Sequence, residues 1–297
     1  MKKSANTKFI NAKSAKSETE NNSNSKKNSD KKENIFRSKF LPIFGWLIWT
    51  MFAFFAAYLI ISFVIIALKI DVNKMNVLGN SIINAITYLL ILFIAIAIPL
   101  FRVEKIDKNQ KIQKNNKLRR CENLKILGLN RLPKWSDFGF TLSNIPVFYI
   151  LLMAISILSM FVFGPEIMNQ EQTLNYATEN NVLWQLIIIG LSLAFVAPIA
   201  EEILFRGFLF TKIREILKVK ISNEKTAQQD KIGFWTSSII VSLLFALTHM
   251  QINVGIMTFL LSMFACRMRE KTGAIWAGIG LHMTVNFVAF CALFLVK

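Results

Sequence analysis

The chain has 297 residues, of which 54% are hydrophobic, and its mean hydropathy is +0.44. It carries 35 Lys and Arg residues against 18 Asp and Glu residues, which gives a net charge of +17. The charges fall in blocks that separate apolar runs of about 20 residues, the length that crosses a bilayer as a helix. This pattern predicts an all-α, polytopic membrane protein. It excludes a soluble enzyme with one core, a disulfide-stapled secreted domain and a β-barrel porin.

The apolar runs predict about seven transmembrane helices. They lie at roughly 43–68, 78–101, 141–163, 182–210, 234–250, 252–266 and 273–296. The fifth and sixth runs are short, at about 15–17 residues each, and their joint carries no Asp, Glu, Lys or Arg. These two runs therefore predict a shallow hairpin that does not fully cross the bilayer.

Three regions are expected along the chain. Residues 1–40, rich in Lys, Asn and Ser, predict a disordered basic tail, and the absence of an apolar segment after the first lysines argues against a cleavable signal peptide. Residues 41–180 hold the first three helices and a basic loop. Residues 181–297 hold the last four helices and the candidate site.

Basic residues are distributed unevenly between the loops. The tail and the loops at 102–140, 211–233 and 267–271 hold 31 of the 35 Lys and Arg residues, whereas the loop at 164–181 holds none. The positive-inside rule then predicts a cytoplasmic N-terminus and an external C-terminus in the cell membrane. Membrane topology explains the net charge better than nucleic acid does, because no basic motif with interleaved aromatic residues is present.

Five ionisable residues remain inside the predicted spans: Glu201, Glu202, Arg206, His249 and His282. Such residues normally face the protein interior and mark a functional site. Glu202 and Arg206, four residues apart, share a helix face and are expected to pair. Glu201 lies outside this pair and is available for a chemical role. At a rise of about 1.5 Å per residue, Glu201 and His282 both lie about 17 Å from the nearest cytoplasmic basic residue, whereas His249 lies deeper.

Other residues near these groups shape the predicted site. Pro198 lacks a backbone N–H, so we expect the fourth helix to kink just before the two acids. His282 and Asn286, four residues apart, face the same direction. Small residues that allow close helix approach cluster in the last span: Gly273, Ala274, Ala277, Gly278 and Gly280.

These residue types support two kinds of hydrolytic site. A carboxylate beside a histidine can take a proton from water, while a second histidine and an amide donate hydrogen bonds to an oxyanion. Alternatively, Glu201, His249 and His282 form a zinc-like ligand set with an open position for water. The residues leave both mechanisms open, so the cofactor is either none or a divalent metal such as zinc.

Three ordered motifs resemble those of the CPBP family of intramembrane proteases. That family includes the CaaX prenyl proteases and bacteriocin-processing or bacteriocin-immunity (Abi) proteins. The motifs are EExxxR at 201–206, FxxxH at 245–249 and HxxxN at 282–286. In the first motif, the resemblance implies that Glu202 and Arg206 form a supporting ion pair.

The resemblance covers about 182–290 and implies an endopeptidase that works inside the membrane. It implies that Glu201 activates water together with His249, and that His282 and Asn286 hold the oxyanion. Members of the family have been described as metalloproteases and, in the prenyl-protease branch, as metal-free glutamate proteases. The implied substrate is a membrane-associated peptide or protein, either CaaX-like and prenylated or a bacteriocin precursor.

Two other functions stay open at this stage. One is a non-proteolytic membrane scaffold, or a bacteriocin-immunity or regulatory protein of the same family. The other is a transporter or proton relay, since such proteins also use intramembrane Glu and His. The lack of an internal repeat among the spans disfavours the transporter.

Overall fold

The structure is a computed structural model that describes four stretches of the chain: 36–72, 75–100, 122–164 and 183–294. Most of the tail at 1–40, residues 102–121 of the loop at 102–140 and nearly all of the loop at 164–181 lie outside these residues, so the expectations for them stay predictions. The chain divides into two compact units, Met1–Gly45 and Trp46–Lys297. The described part of the first unit is a π-helical turn, Phe36–Phe40, and the first residues of a helix.

Regular structure in the described residues is helical, without strands. In the part of the chain that the structure describes, six helices are long and apolar enough to cross a membrane, and a shorter apolar helix follows them. This confirms the prediction of an all-α, multi-pass membrane protein with about seven helices. The helices are α1 (Leu41–Ala67), α2 (Val77–Leu92, extended by a π turn at Phe93–Ala97), α3 (Trp135–Phe163), α4 (Leu183–Leu217), α5 (Glu224–Leu247), α6 (Ile252–Thr272) and α7 (Trp276–Phe294).

Two full-length helices replace the predicted shallow hairpin. α5 has 24 residues and α6 has 21, and both are long and apolar enough to span a membrane. α5 begins well before its apolar run, because the side chain of Asn223 accepts a hydrogen bond from the Thr226 N–H and caps the helix. Its polar first turns resemble a loop in the sequence, which explains why the apolar run alone gave a helix that is too short.

The outer surface of the helices is apolar. Phe161 is 84% exposed, Ile66 74% and Phe63 71%, and many other large apolar side chains are also exposed. A soluble protein rarely exposes apolar surface so extensively. A bilayer would cover these side chains, in agreement with the length of the helices.

α7 lies at the centre of the packing in the second unit. One buried cluster joins Phe148 of α3 and Leu261 of α6 to Leu281 of α7. A second cluster joins Val77 of α2 and Ile189 of α4 to Phe290 near the end of α7. Through these two clusters α7 packs against α2, α3, α4 and α6. A side chain in the middle of α7 is therefore held by packing on both sides of it along the helix.

Two glycines allow α7 to approach its neighbours closely. A Cβ at Gly278 would lie 2.8 Å from Oε2 of Glu202, and a Cβ at Gly280 would lie 2.9 Å from Oγ1 of Thr141. Thr141 also donates a hydrogen bond to the carbonyl of Ala277 at 3.0 Å. The predicted close approach of the last span is therefore present at these positions.

Pro198 widens α4 rather than ending it. The turn just before it, Ser192–Val196, is π-helical, and the N–H of Ala197 donates to the carbonyl of Ser192. A second π turn, Ile203–Leu209, follows the two acids. α4 continues through both turns, so Glu201 and Glu202 lie on a short α-helical segment between two widened ones.

Candidate active site

The ion pair expected within the first motif is present and fully buried. Nη1 of Arg206 lies 3.0 Å from Oε1 of Glu202, and both side chains have zero exposure. The guanidinium carbon lies 4.2 Å from the centre of the Phe245 ring, within the range of a cation–π contact. The Arg206 N–H groups form no hydrogen bond with the described residues, so charge attraction and the aromatic face hold this cation.

His282 of α7 lies between the two acids of α4. Its Nδ1 lies 3.1 Å from Oε1 of Glu202, and its Nε2 lies 3.6 Å from Oε2 of Glu201. The side chain is 2% exposed. The equal depth expected for Glu201 and His282 thus corresponds to a real contact, made by residues 81 positions apart in the chain.

Glu201 has a partner that the motifs did not indicate. The hydroxyl of Tyr88, on α2, donates a hydrogen bond to Oε1 of Glu201 at 2.7 Å. The sequence indicates this contact only weakly. A tyrosine hydroxyl in an apolar run usually finds a hydrogen-bond partner, but nothing in the sequence connects Tyr88 to Glu201. The two carboxylate oxygens are now distinct, because Oε1 is held by Tyr88 while Oε2 faces His282.

His249 lies just beyond the end of α5 and is turned toward its own helix. Its Nδ1 lies 2.9 Å from the carbonyl oxygen of Phe245. Since a carbonyl only accepts, Nδ1 carries the hydrogen and Nε2 is an acceptor in the neutral ring. In the described part of the chain, no hydrogen bond or ion pair joins His249 to Glu201.

Phe245 separates the two histidines. Its ring centroid is 4.9 Å from that of His249 and 5.8 Å from that of His282, edge-on in both cases. Phe245 is itself fully buried. The phenylalanine of the second motif therefore fixes the position of both imidazoles and lies under Arg206 as well.

Asn286 connects α7 to the widened turn of α4. Its side-chain amide donates to the carbonyl of Leu193 at 2.9 Å. The amide has a second N–H, which remains available for another acceptor. Asn286 follows His282 by one helical turn, so both residues lie on the side of α7 that faces α4.

Most of the residues in this geometry lie within one stretch of the chain that matches a protein-family model. Residues 183–288 match the family model described as type II CAAX prenyl endopeptidase Rce1-like. The resemblance predicted from the three motifs is thus confirmed. The matched segment is about a third of the chain, and at the family level it indicates a CAAX-type intramembrane protease. No curated protein and no solved structure matches the chain.

Nearly all of the contacts at the site lie within the Rce1-like segment. Glu201, Glu202, His249, His282 and their neighbours on α4, α5 and α7 all fall inside residues 183–288. Tyr88 lies outside it, on α2. The helices before the matched segment therefore reach the site through at least one side chain.

The predicted metal ligand set is not assembled in the Rce1-like segment. The described residues contain no group of three or more His, Cys, Asp or Glu side chains placed to hold a metal ion. Glu201 and His282 are close, but Nδ1 of His249 faces a backbone carbonyl. In this arrangement the three side chains do not present their ligand atoms to one metal position.

A cavity of about 540 Å³ lies at the end of α4 beyond the glutamates. Arg214, Arg269 and Glu270 are among its lining residues, whereas Glu201 and both histidines are not. Arg214 lies 2.7 Å from Asp230 and 3.0 Å from Glu270. These ion pairs connect α4 to α5 and α6, so the charges at this cavity hold the helix ends together.

Proposed function

We propose that the chain is an intramembrane endopeptidase that hydrolyses a peptide bond of a membrane-associated substrate of the CaaX-like, prenylated or bacteriocin type. The observation that carries the proposal is the contact of His282 with both Glu201 and Glu202, inside the Rce1-like segment. Ionisable groups at this depth are costly and normally serve a function. The cluster combines a base (Glu201), a hydrogen-bond donor (His282) and the cationic side chain of Arg206. This combination suits hydrolysis better than helix packing alone.

Glu201 is the proposed general base. Its Oε2 and Nε2 of His282 are 3.6 Å apart, which is too long for a good hydrogen bond. A water about 2.8 Å from each atom would bridge them. As this water attacks the scissile carbonyl carbon, its proton passes to Glu201, and the carbonyl oxygen becomes an oxyanion.

His282 and Asn286 are the proposed donors to that oxyanion. A carboxylate oxygen faces each ring nitrogen of His282, and a hydrogen on Nε2 would be the one donated to the oxyanion. Asn286 has one amide N–H left after its bond to Leu193. Donors fixed before the reaction stabilise developing charge without reorganisation, and this contribution is usually the largest in such sites.

His249 is the proposed second base beside Glu201. Its hydrogen bond to the carbonyl of Phe245 leaves Nε2 as an acceptor, which suits a residue that receives a proton and returns it. When the C–N bond breaks, the proton taken from water goes to the leaving amine. Since His249 does not contact Glu201 directly, water or substrate must lie between them during the transfer.

The Glu202–Arg206 pair has a proposed supporting role. Glu202 approaches Nδ1 of His282 and Nη1 of Arg206 with the same oxygen, Oε1. It thereby orients the imidazole, while Arg206 balances the charge of Glu202.

We also propose that the N-terminus is cytoplasmic and the C-terminus external, because Lys and Arg residues are concentrated in the tail and in the loops on its side of the membrane.

Cleavage of a farnesylated CaaX reporter peptide by the purified protein in detergent tests this function. The assay compares wild type, Glu201→Ala and the matched control Glu215→Ala, whose carboxylate lies at 55% exposure near the end of α4. We expect cleavage by wild type and Glu215→Ala only. A parallel lane with chelator decides the metal requirement, and equal cleavage by Glu201→Ala would refute the assignment of the base.

The non-proteolytic alternative makes the opposite prediction in the cell. A scaffold or immunity protein needs its fold but not its base. If Glu201→Ala restores the phenotype of a deletion strain as well as wild type does, the scaffold replaces the protease as the proposed function.

A further inference from the structure

A residue outside the Rce1-like segment contacts the proposed base. Tyr88 and Glu201 are 113 positions apart, and their 2.7 Å hydrogen bond joins α2 to the middle of α4. The distance is typical of a hydroxyl that donates to an ionised carboxylate. No spacing rule within one helix produces this contact, so it exists only because of how the helices pack.

We propose that Tyr88 is a positioning residue for Glu201, so that α2 completes a site whose other side chains come from the Rce1-like segment. Its effect on turnover rests on the function proposed above, whereas the contact itself does not. The inference assigns a role to a helix that carries none of the three motifs.

The role of Tyr88 follows from what the hydrogen bond does to the carboxylate. A free glutamate side chain rotates about its last bonds and presents either oxygen in many directions. With Oε1 fixed by the hydroxyl, Oε2 is left facing Nε2 of His282. Tyr88 therefore determines which oxygen takes the proton and where that oxygen lies.

The packing of α2 fixes the hydroxyl itself. Ile91, one turn from Tyr88, is 1% exposed, and Ile94 is 7% exposed. At its other end, Val77 packs with Ile189 of α4 and Phe290 of α7. The helix is thus anchored on both sides of Tyr88, and in a region of low dielectric a fixed donor to a carboxylate is stronger than in water.

A spectroscopic comparison tests the contact without relying on a substrate. Infrared difference spectra between wild type and Glu201→Gln, in the full-length protein, isolate the carboxyl band of Glu201. The same difference is then taken in a Tyr88→Phe background, with Tyr149→Phe as the matched control. Tyr149 has a buried hydroxyl without a hydrogen-bond partner among the described residues, so its loss removes no bond.

We expect the Glu201 band to shift in Tyr88→Phe and to stay in place in Tyr149→Phe. Thermal unfolding checks that both variants fold, which the loss of one oxygen should permit. A Glu201 band that does not move in folded Tyr88→Phe would overturn the proposal.

Turnover then separates positioning from mere helix packing. We expect Tyr88→Phe to lower kcat by about tenfold or more, with KM changed by less than about twofold, because a hydrogen bond to a charged group is lost while substrate contacts remain. A shifted band with unchanged kcat would show that the contact is structural only and would refute the positioning role. If wild type cleaves no reporter, prenylated peptides are excluded as the substrate of the proposed function, while the band still decides the contact.

Discussion

The side-chain amide of Asn286 donates a hydrogen bond to the carbonyl of Leu193, five residues before Pro198. In the π-helical register of that turn, the N–H of residue 198 would serve this carbonyl, and proline has none. A side chain from α7 thus supplies the donor that α4 lacks. The third motif therefore has a structural role, in addition to any role with substrate.

Asn286→Ala should destabilise the protein by about 1–3 kcal/mol, because the partly buried carbonyl of Leu193 loses the hydrogen bond from this amide. Thermal or denaturant unfolding in detergent measures the loss. Adding Pro198→Ala restores a backbone N–H at residue 198, so the double variant should lose less stability than Asn286→Ala alone. Equal losses in the single and double variants would contradict this account of Pro198.

Gly278→Ala should disturb the acid pair. The new methyl group would lie 2.8 Å from Oε2 of Glu202, which cannot move freely because Arg206 and His282 hold its other oxygen. We expect lower stability and at least about tenfold lower turnover. Gly139→Ala is the control, because a methyl group there meets nothing within 4 Å and should favour the helix slightly.

Arg206→Met should cost more stability than the double change Glu202→Gln with Arg206→Met. The single change leaves a fully buried carboxylate without its cation, at a cost of about 3–5 kcal/mol. The double change removes both charges and avoids that penalty. Unfolding of the four proteins of the cycle gives the coupling, and a coupling near zero would show that the pair does not interact as described.

The two histidines should differ in their effect on stability. His282→Ala removes a buried ring that contacts both acids, so it should lower both stability and activity. His249→Ala removes a half-buried ring with one hydrogen bond to its own helix, so it should lower activity with little loss of stability. Parallel unfolding and cleavage assays compare them. A similar loss of stability in both variants would contradict the contacts found for His249.

Membrane topology can be tested with introduced cysteines. After Cys121 and Cys291 are changed to Ser, the remaining Cys266 is fully buried and should not react with an impermeant reagent. We expect Ser222→Cys to be labelled from the cytoplasmic side and Val72→Cys from the external side. The parent without an introduced cysteine is the control, and labelling of the two sites from the opposite sides would reverse the proposed orientation.

Local features of the sequence gave correct predictions where neighbours along the helix decide the outcome. The apolar runs predicted the helices, since about 20 apolar residues must be covered by lipid or protein. The i,i+4 spacing predicted the Glu202–Arg206 pair, because a single helix brings the two residues together. The same reasoning failed for the start of α5, where the Asn223 cap and several polar turns extend the helix beyond its apolar run.

Contacts between distant residues depended on the tertiary structure. The hydroxyl of Tyr88, the ring of His282 and the amide of Asn286 each reach α4 from another helix. Sequence order gives the depth of such residues but not the rotation of each helix about its axis. Packing fixes that rotation, through buried clusters and glycines such as Gly278. The sequence by itself determined a membrane protein with three ordered motifs, and only the packing of α2, α4 and α7 decided which groups surround Glu201.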